Sequence, residues 1–267
     1  MPVYLDRMFG PSAPEHGWVP APRYLMRRDR ILALARELPP GELLEVGCGA
    51  GMLLQEFAHR GFRCTALETS SAARSLARDL AREAGARIDF HGSAQADWPD
   101  CFDTVLAFEV LEHIEDDGAA LATWTGWLRP GGHLLLSVPA HTRLWTAGDE
   151  WAGHYRRYER ADLVRLLRES GLEIEHLECY GYPITNIGER IAARSYARRI
   201  MRPSGGVSLD RRASTDRSGI ERGPHVRMYP LLTSWPGRLG LMAALAVQRL
   251  FLGADLGSGY VLRARKL

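Results

Sequence analysis

The stretch Leu43-Leu44-Glu45-Val46-Gly47-Cys48-Gly49-Ala50-Gly51 passes from an apolar run straight into a glycine-rich turn. Residues 43–46 read as a strand, and the helical spacing of apolar residues over 52–60 reads as a helix. The pattern Glu-x-Gly-x-Gly-x-Gly differs from the Gly-x-Gly-x-x-Gly of dinucleotide-binding turns. Glycine at every second position lets the chain turn tightly and brings a ligand against bare backbone. Glu45 places an anion beside that turn, which repels a pyrophosphate and attracts a ligand carrying an ammonium group.

The same alternation continues outward. Short apolar runs at 64–67, 88–90, 105–108 and 134–138 read as strands, with helical patterns at 72–84, 94–98 and 117–128 between them. Near-continuous apolar strands alternating with helices indicate a parallel sheet covered on both faces. A helix over 160–170, closed by Gly171, leads to a strand over 173–180. Before the glycine turn, residues 22–38 keep helical spacing up to Pro39-Pro40-Gly41, and proline and charge mark 1–21 as a loop or loosely held arm. After Pro183 the rhythm changes. Residues 187–227 carry ten arginines against Glu189, Asp210, Asp216 and Glu221. The spacing predicts a basic helix over 187–201, a loop to about 223, a helical pair within 229–252 and a last strand over 259–264. This divides the chain into an arm and helix (1–40), a core (41–182), a helical insertion or lid (183–258) and a closing strand (259–267).

The chain has 267 residues, 46% apolar and 25% charged, an ordinary globular balance. A net charge of +2 does not by itself call for nucleic acid. Cysteines 48, 64, 101 and 179 form no Cys-x-x-Cys pair, which speaks against a zinc site and for a reducing compartment. The first twenty residues have no apolar run that could act as a signal peptide. Residues 239–253 contain Gln248 and Arg249 and fall short of the ~20 residues of a membrane span. A cytoplasmic, soluble protein is expected.

Glu68 closes the second strand. A carboxylate there can accept both hydroxyls of a ribose; read alone, it also fits a helix-capping acid before Thr69-Ser70-Ser71. Taken with 45–51, with Phe102-Asp103-Thr104-Val105-Leu106-Ala107-Phe108-Glu109-Val110-Leu111-Glu112-His113-Ile114 and with Leu128-Arg129-Pro130-Gly131-Gly132, the sequence resembles the class I S-adenosylmethionine-dependent methyltransferases. The resemblance covers roughly 43–171. It implies a Rossmann-like seven-stranded α/β sheet with helices on both faces and an antiparallel last strand, with S-adenosylmethionine over the carboxyl ends of the first strands.

Carried over by position, the resemblance puts Glu45 and the Gly47, Cys48, Gly49 and Gly51 backbone at the methionine end of the cofactor. Glu68, with Thr69 beside it, takes the ribose, and Ser93 and Ala94 lie along the adenine; many relatives have aspartate where Ser93 stands. Phe108, Glu109 and His113 border the methyl-transfer region. Tyr24 and Arg28 on the first helix are candidates for the cofactor carboxylate, or plain surface residues.

Methyl transfer from a sulfonium is an in-line displacement, so the protein mainly aligns the acceptor, and an oxygen or nitrogen acceptor also calls for a base. The candidates are His113, His154 and Tyr155 for catalysis, and His141, Trp145 and Tyr158 for substrate binding. Most lie in the 145–158 stretch, whose aromatic and titratable side chains suit either a pocket wall or a lid packed on the sheet. The Gly153-His154-Tyr155-Arg156-Arg157-Tyr158 run resembles a bacterial subgroup of the family. Asp116-Asp117 before a helix reads as a cap, so no metal is expected. The arginine-rich segment lacks interleaved aromatics beyond Tyr196, which leaves nucleic acid a weak reading. It roofs the site, or meets a membrane surface or a lipid-linked substrate. The resulting expectation is methylation of a small molecule, on oxygen, in a biosynthetic pathway such as that of a natural product, quinone or lipid-linked sugar. The alternative is a nucleic-acid or protein methyltransferase recruited through the arginine-rich insertion.

Overall fold

The computed structural model describes residues 3–200 and 223–267; the loop expected over 202–222 lies outside the described residues. The chain begins with a hairpin, β1 (Tyr4–Asp6) and β2 (Gly10–Ser12), and the helix α1 (Pro22–Leu34). Then follow β3 (Glu42–Val46), α2 (Met52–His59), β4 (Arg63–Leu67), α3 (Ser71–Glu83), β5 (Ile88–His91), β6 (Phe102–Phe108), α4 (Asp117–Trp127) and β7 (Leu128–Pro139). After these come α5 (Ala147–Ala152), α6 (Arg160–Glu169), β8 (Leu172–Tyr180) and α7 (Ile184–Ile200). The described chain ends with α8 (Gly223–Thr233), α9 (Trp235–Leu250) and β9 (Gly259–Lys266).

Seven strands form one sheet in the order β5-β4-β3-β6-β7-β9-β8. β9 slots between β7 and β8 and runs antiparallel to both. Leu44 and Val46 face α4 and α6, packing with Leu121, Trp124, Leu163 and Leu167. Leu43, one position out of phase, faces α1 and α2, packing with Ile31, Leu54 and Phe57. Alternation along a strand therefore sends Glu45 to the α1 side. Both faces are covered, which is why the strands read as continuous apolar runs.

Two expectations need correction. The arm, described from residue 3 to residue 21, is packed rather than loosely held: Phe9, Trp18 and Val19 are buried. Phe9 meets Tyr229 of α8 edge-on, and the Tyr229 hydroxyl donates to Ser12 Oγ at 3.0 Å. Its polar composition hid aromatic side chains whose partners lie some 200 residues away. No helix forms over 94–98; Trp98 instead sits edge-on between Phe102 and Trp127. Within 145–158, Thr146 and Asp149 form a capping box that starts α5.

Candidate active site

A cavity of about 640 Å³ opens at the carboxyl ends of β3 and β6. Its floor is the glycine turn, its walls are α1 and the 146–157 segment, and α7, α8 and α9 roof it. Gly47 shows why the turn must be bare: with φ +66°, a Cβ there would meet Val110 Cγ2 at 2.6 Å. The Gly49 N–H donates to Glu68 Oε2 at 2.8 Å and the Ser70 N–H to Glu68 Oε1 at 2.9 Å, so Glu68 ties the turn of β3 to the end of β4.

Glu45, Gly47, Cys48, Gly49, Tyr24, Phe108, Glu109, His113 and His154 line the cavity. Glu68, Thr69, Ser93 and Ala94 sit beyond it at the open ends of β4 and β5, where Thr69, Ser93 and Ala94 are exposed. Gly51, at φ +68°, caps α2 against Ala77.

Arg28 does not reach the cavity. Its guanidinium is held by Glu56, with Nε to Oε1 at 2.6 Å, and donates to the Met8 carbonyl at 3.0 Å. Arg23 and Arg27, five and one positions earlier on the same helix, line the cavity instead. Periodicity finds an amphipathic helix but places its faces only to within a residue or so. The substrate candidates are likewise turned away. His141 is buried against Glu159 (3.4 Å) and Cys179 (3.8 Å), and Tyr158 is buried and donates to Asp117 at 3.0 Å. Trp145 and Tyr155 lie outside the lining as well. The same segment supplies Thr146, Asp149, Trp151, Ala152 and Arg157 to the lining.

The electrostatics separate the carboxylates. Burial pushes Glu45 up to about 8, with Glu68 adding to the shift and Arg27 opposing it, and Glu45 Oε2 has no hydrogen-bond partner. Burial also disfavours ionised Glu109, but Arg23 and Arg27 outweigh it and hold the carboxyl at about 2. Arg23 Nη2 lies 2.8 Å from Glu109 Oε2, while the Nε atoms of Arg23 and Arg27 are buried donors without partners. A bare backbone cradle, a buried acid and two guanidiniums with spare donors fit an amino-acid end group carrying both charges.

Beside them stand two imidazoles, with ring centres 4.7 Å apart. His154 Nδ1 lies 3.0 Å from Asp149 Oδ1, and Asp149 is clamped by Arg157 Nε at 2.8 Å and Nη2 at 2.9 Å. Burial opposes ionised Asp149, yet the bonds from His154 and Arg157 hold it well below the usual carboxylate range. The Asp149 contact makes Nδ1 the donor and leaves Nε2 as the nitrogen that can accept a proton. Burial and the neighbouring His154 lower His113 to about 3, and one of its ring nitrogens bonds the Gly153 backbone. Glu112 is fully buried, with no hydrogen bond to either oxygen, and burial and Glu109 hold its carboxyl protonated well above the usual range.

Among the described residues, Glu112, His113 and His154 bring possible metal-ligand atoms within 4.8 Å of one another, as do His141, Cys179 and Asp255. In the second set Asp255 accepts from the Tyr260 hydroxyl at 2.8 Å and Cys179 Sγ from the Gly257 N–H at 3.1 Å, so both already have partners.

Residues 21–177 match a family model described as a methyltransferase domain. A ubiquinone biosynthesis O-methyltransferase of Xanthomonas euvesicatoria is 30% identical over 203 residues, covering 70% of this chain and 82% of that protein. Among solved structures, the cyclase SpnF superposes with a TM-score of 0.58 at 22% identity, over 99% of this chain and 88% of that one. An S-adenosylmethionine-dependent methyltransferase from Mesorhizobium loti gives 0.54 at 16% identity, over 92% and 98%. These two likenesses establish the fold. The family match spans more than half of the sequence and contains the glycine turn, Glu68 and the 109–113 segment, and the chain belongs to the class I S-adenosylmethionine-dependent methyltransferases.

Proposed function

We propose that the acceptor is a small organic molecule methylated on oxygen within a biosynthetic pathway. The observation that carries this is the Asp149–His154 pair, on the wall of the cavity beside Glu109 and His113. Such a cavity suits an amino-acid end group and a compact acceptor. The name of the Xanthomonas relative, an O-methyltransferase of quinone biosynthesis, points the same way.

S-adenosylmethionine supplies a methyl group activated on a sulfonium. In this reading Glu45 and the glycine turn hold its ammonium end, and Arg23 and Arg27 offer their spare Nε donors to its carboxylate. Glu68 accepts the ribose hydroxyls, with Ser93 and Ala94 along the base. The cavity walls would orient the acceptor toward that methyl group. His154 Nε2 would take the proton of the acceptor hydroxyl. His113, lowered to about 3, is the poorer base.

The test is an extract incubated with the enzyme and methyl-labelled cofactor. Label is expected in an organic-soluble small molecule; label in RNA or protein would overturn the proposal. Turnover is expected to persist in EDTA, because a protonated Glu112 gives a cation no anionic ligand in that cluster. Loss in EDTA with recovery on adding magnesium would show instead that the Glu112–His113–His154 cluster binds a catalytic ion.

Glu45 makes cofactor binding pH-dependent, and the sign follows from its raised pKa. Below about pH 8 the free protein holds Glu45 protonated, whereas the ammonium group favours the anion. Binding therefore releases a proton, and affinity falls as pH drops below about 8, by up to about tenfold per unit. Calorimetry at neutral pH in buffers of different ionisation enthalpy should register that proton, and Glu45→Gln should abolish it. A wild-type signal independent of buffer would remove Glu45 from the binding site.

A further inference from the structure

α9 turns two unlike faces in opposite directions. Leu241 and Gln248 are buried, and the Gln248 amide donates to the Met26 carbonyl at 3.0 Å and accepts from the Gly181 N–H at 3.0 Å. Ala244 and Leu245 pack against the core beside them. The other face carries Trp235, Leu239, Met242, Ala246 and Leu250, which advance by three or four residues and so form one row along the helix. Trp235 is 73% exposed and Leu250 80%. α8, leading into this helix, exposes Met228 and Leu231, and α7 exposes Ile187 and Ile191. Soluble monomers seldom leave so many large apolar groups in water on neighbouring helices.

The charge on these helices has one sign. Their described residues include Arg190, Arg194, Arg198, Arg227, Arg238 and Arg249, and among them the sole acid is Glu189. Glu189 points inward, to Arg23 at 3.2 Å and Arg157 at 3.3 Å. Arg238 and Arg249 pair with Asp6 and Asp29. Arg190, Arg194 and Arg198 recur every fourth residue on α7, all exposed, beside Ile187 and Ile191. Apolar side chains flanked by cations match an anionic lipid interface in both respects: rings and branched chains enter the acyl boundary while guanidiniums meet the phosphates. A second copy of the chain on this face would set the same cations against each other. No described helix is long and apolar enough to cross a membrane, so the helices would lie on the bilayer.

We propose that α7, α8 and α9 dock on an anionic phospholipid bilayer, with the exposed row of α9 lying in the interface plane. The same helices wall the cavity through Ala192, Tyr196, His225 and Leu241. Docking would therefore bring the cavity roof to the lipid, where an acceptor with an apolar tail could enter. The docking does not depend on the acceptor assigned above, and its test needs no turnover.

The test is co-sedimentation of the full chain with vesicles of phosphatidylglycerol and phosphatidylcholine, and with phosphatidylcholine alone. Binding is expected to the mixed vesicles, to weaken with salt, and to be slight on the neutral ones. Trp235→Glu with Leu239→Glu should abolish it while cofactor affinity and thermal midpoint stay unchanged, since both side chains face solvent. Arg190→Gln with Arg194→Gln should weaken it by about fivefold per charge removed. No binding to the mixed vesicles, or binding that survives the Trp235/Leu239 pair of changes, would overturn the proposal. So would a concentration-dependent dimer by sedimentation equilibrium that Trp235→Glu disperses, because a second copy would then be the occupant.

Discussion

His154→Ala is expected to lower turnover by about 100-fold or more, the lower end of what a positioned general base contributes, while cofactor affinity stays within a few fold. The expectation rests on geometry. Asp149 takes Nδ1 at 3.0 Å, so the lone pair of Nε2 is free to receive the acceptor proton. Glu112 Oε1, 3.9 Å from Nε2, is too far to bond it. His113→Ala is the paired control. Its ring stays neutral down to about pH 3, so its loss should cost packing against His154 more than proton transfer. Single-turnover methylation with parallel cofactor titration on both variants separates the roles. Full rate in His154→Ala with loss in His113→Ala would move the base to His113. Full rate in both would mean that alignment alone drives the reaction.

Glu68→Ala is expected to weaken cofactor binding by about 1.5–3 kcal/mol, the scale of lost hydrogen bonds to a charged group, or roughly 10- to 150-fold in Kd. The glycine turn adds a second contribution. Glu68 accepts the Gly49 and Ser70 N–H groups, so alanine also frees the turn that must stay close to the ligand. Titration calorimetry gives the affinity, and the thermal midpoint without ligand reports the loosened turn separately. An unchanged Kd together with a lowered midpoint would make Glu68 a structural tie and nothing more.

Much of this site could be read in the chain because its parts are neighbours in sequence. Gly47, Gly49 and Gly51 alternate along one turn; Glu45 precedes them by two residues; Glu109 and His113 lie on one short segment after β6. Strand alternation then settles which side of the sheet Glu45 faces, since Leu43 and Leu44 pack into opposite layers. His154 was legible only as a titratable side chain in an aromatic stretch. Its partner Asp149 is five residues away, and the capping box that starts α5 brings the two together.

The sequence by itself determined the alternation of strands and helices through the core, the glycine turn and the acids beside it, because each depends on local backbone geometry or strict periodicity. Tertiary structure alone decided which side chains of a segment face the cavity. Arg23 and Arg27 enter it while Arg28 turns to Glu56, and Arg157 enters while Tyr158 turns to Asp117. The buried arm was decided there too, since Phe9 and Ser12 find Tyr229 only after the C-terminal helices fold back over the glycine turn. The physical reason is that a polar or aromatic side chain goes where its partner is. When that partner lies far away in the chain, no local pattern records it.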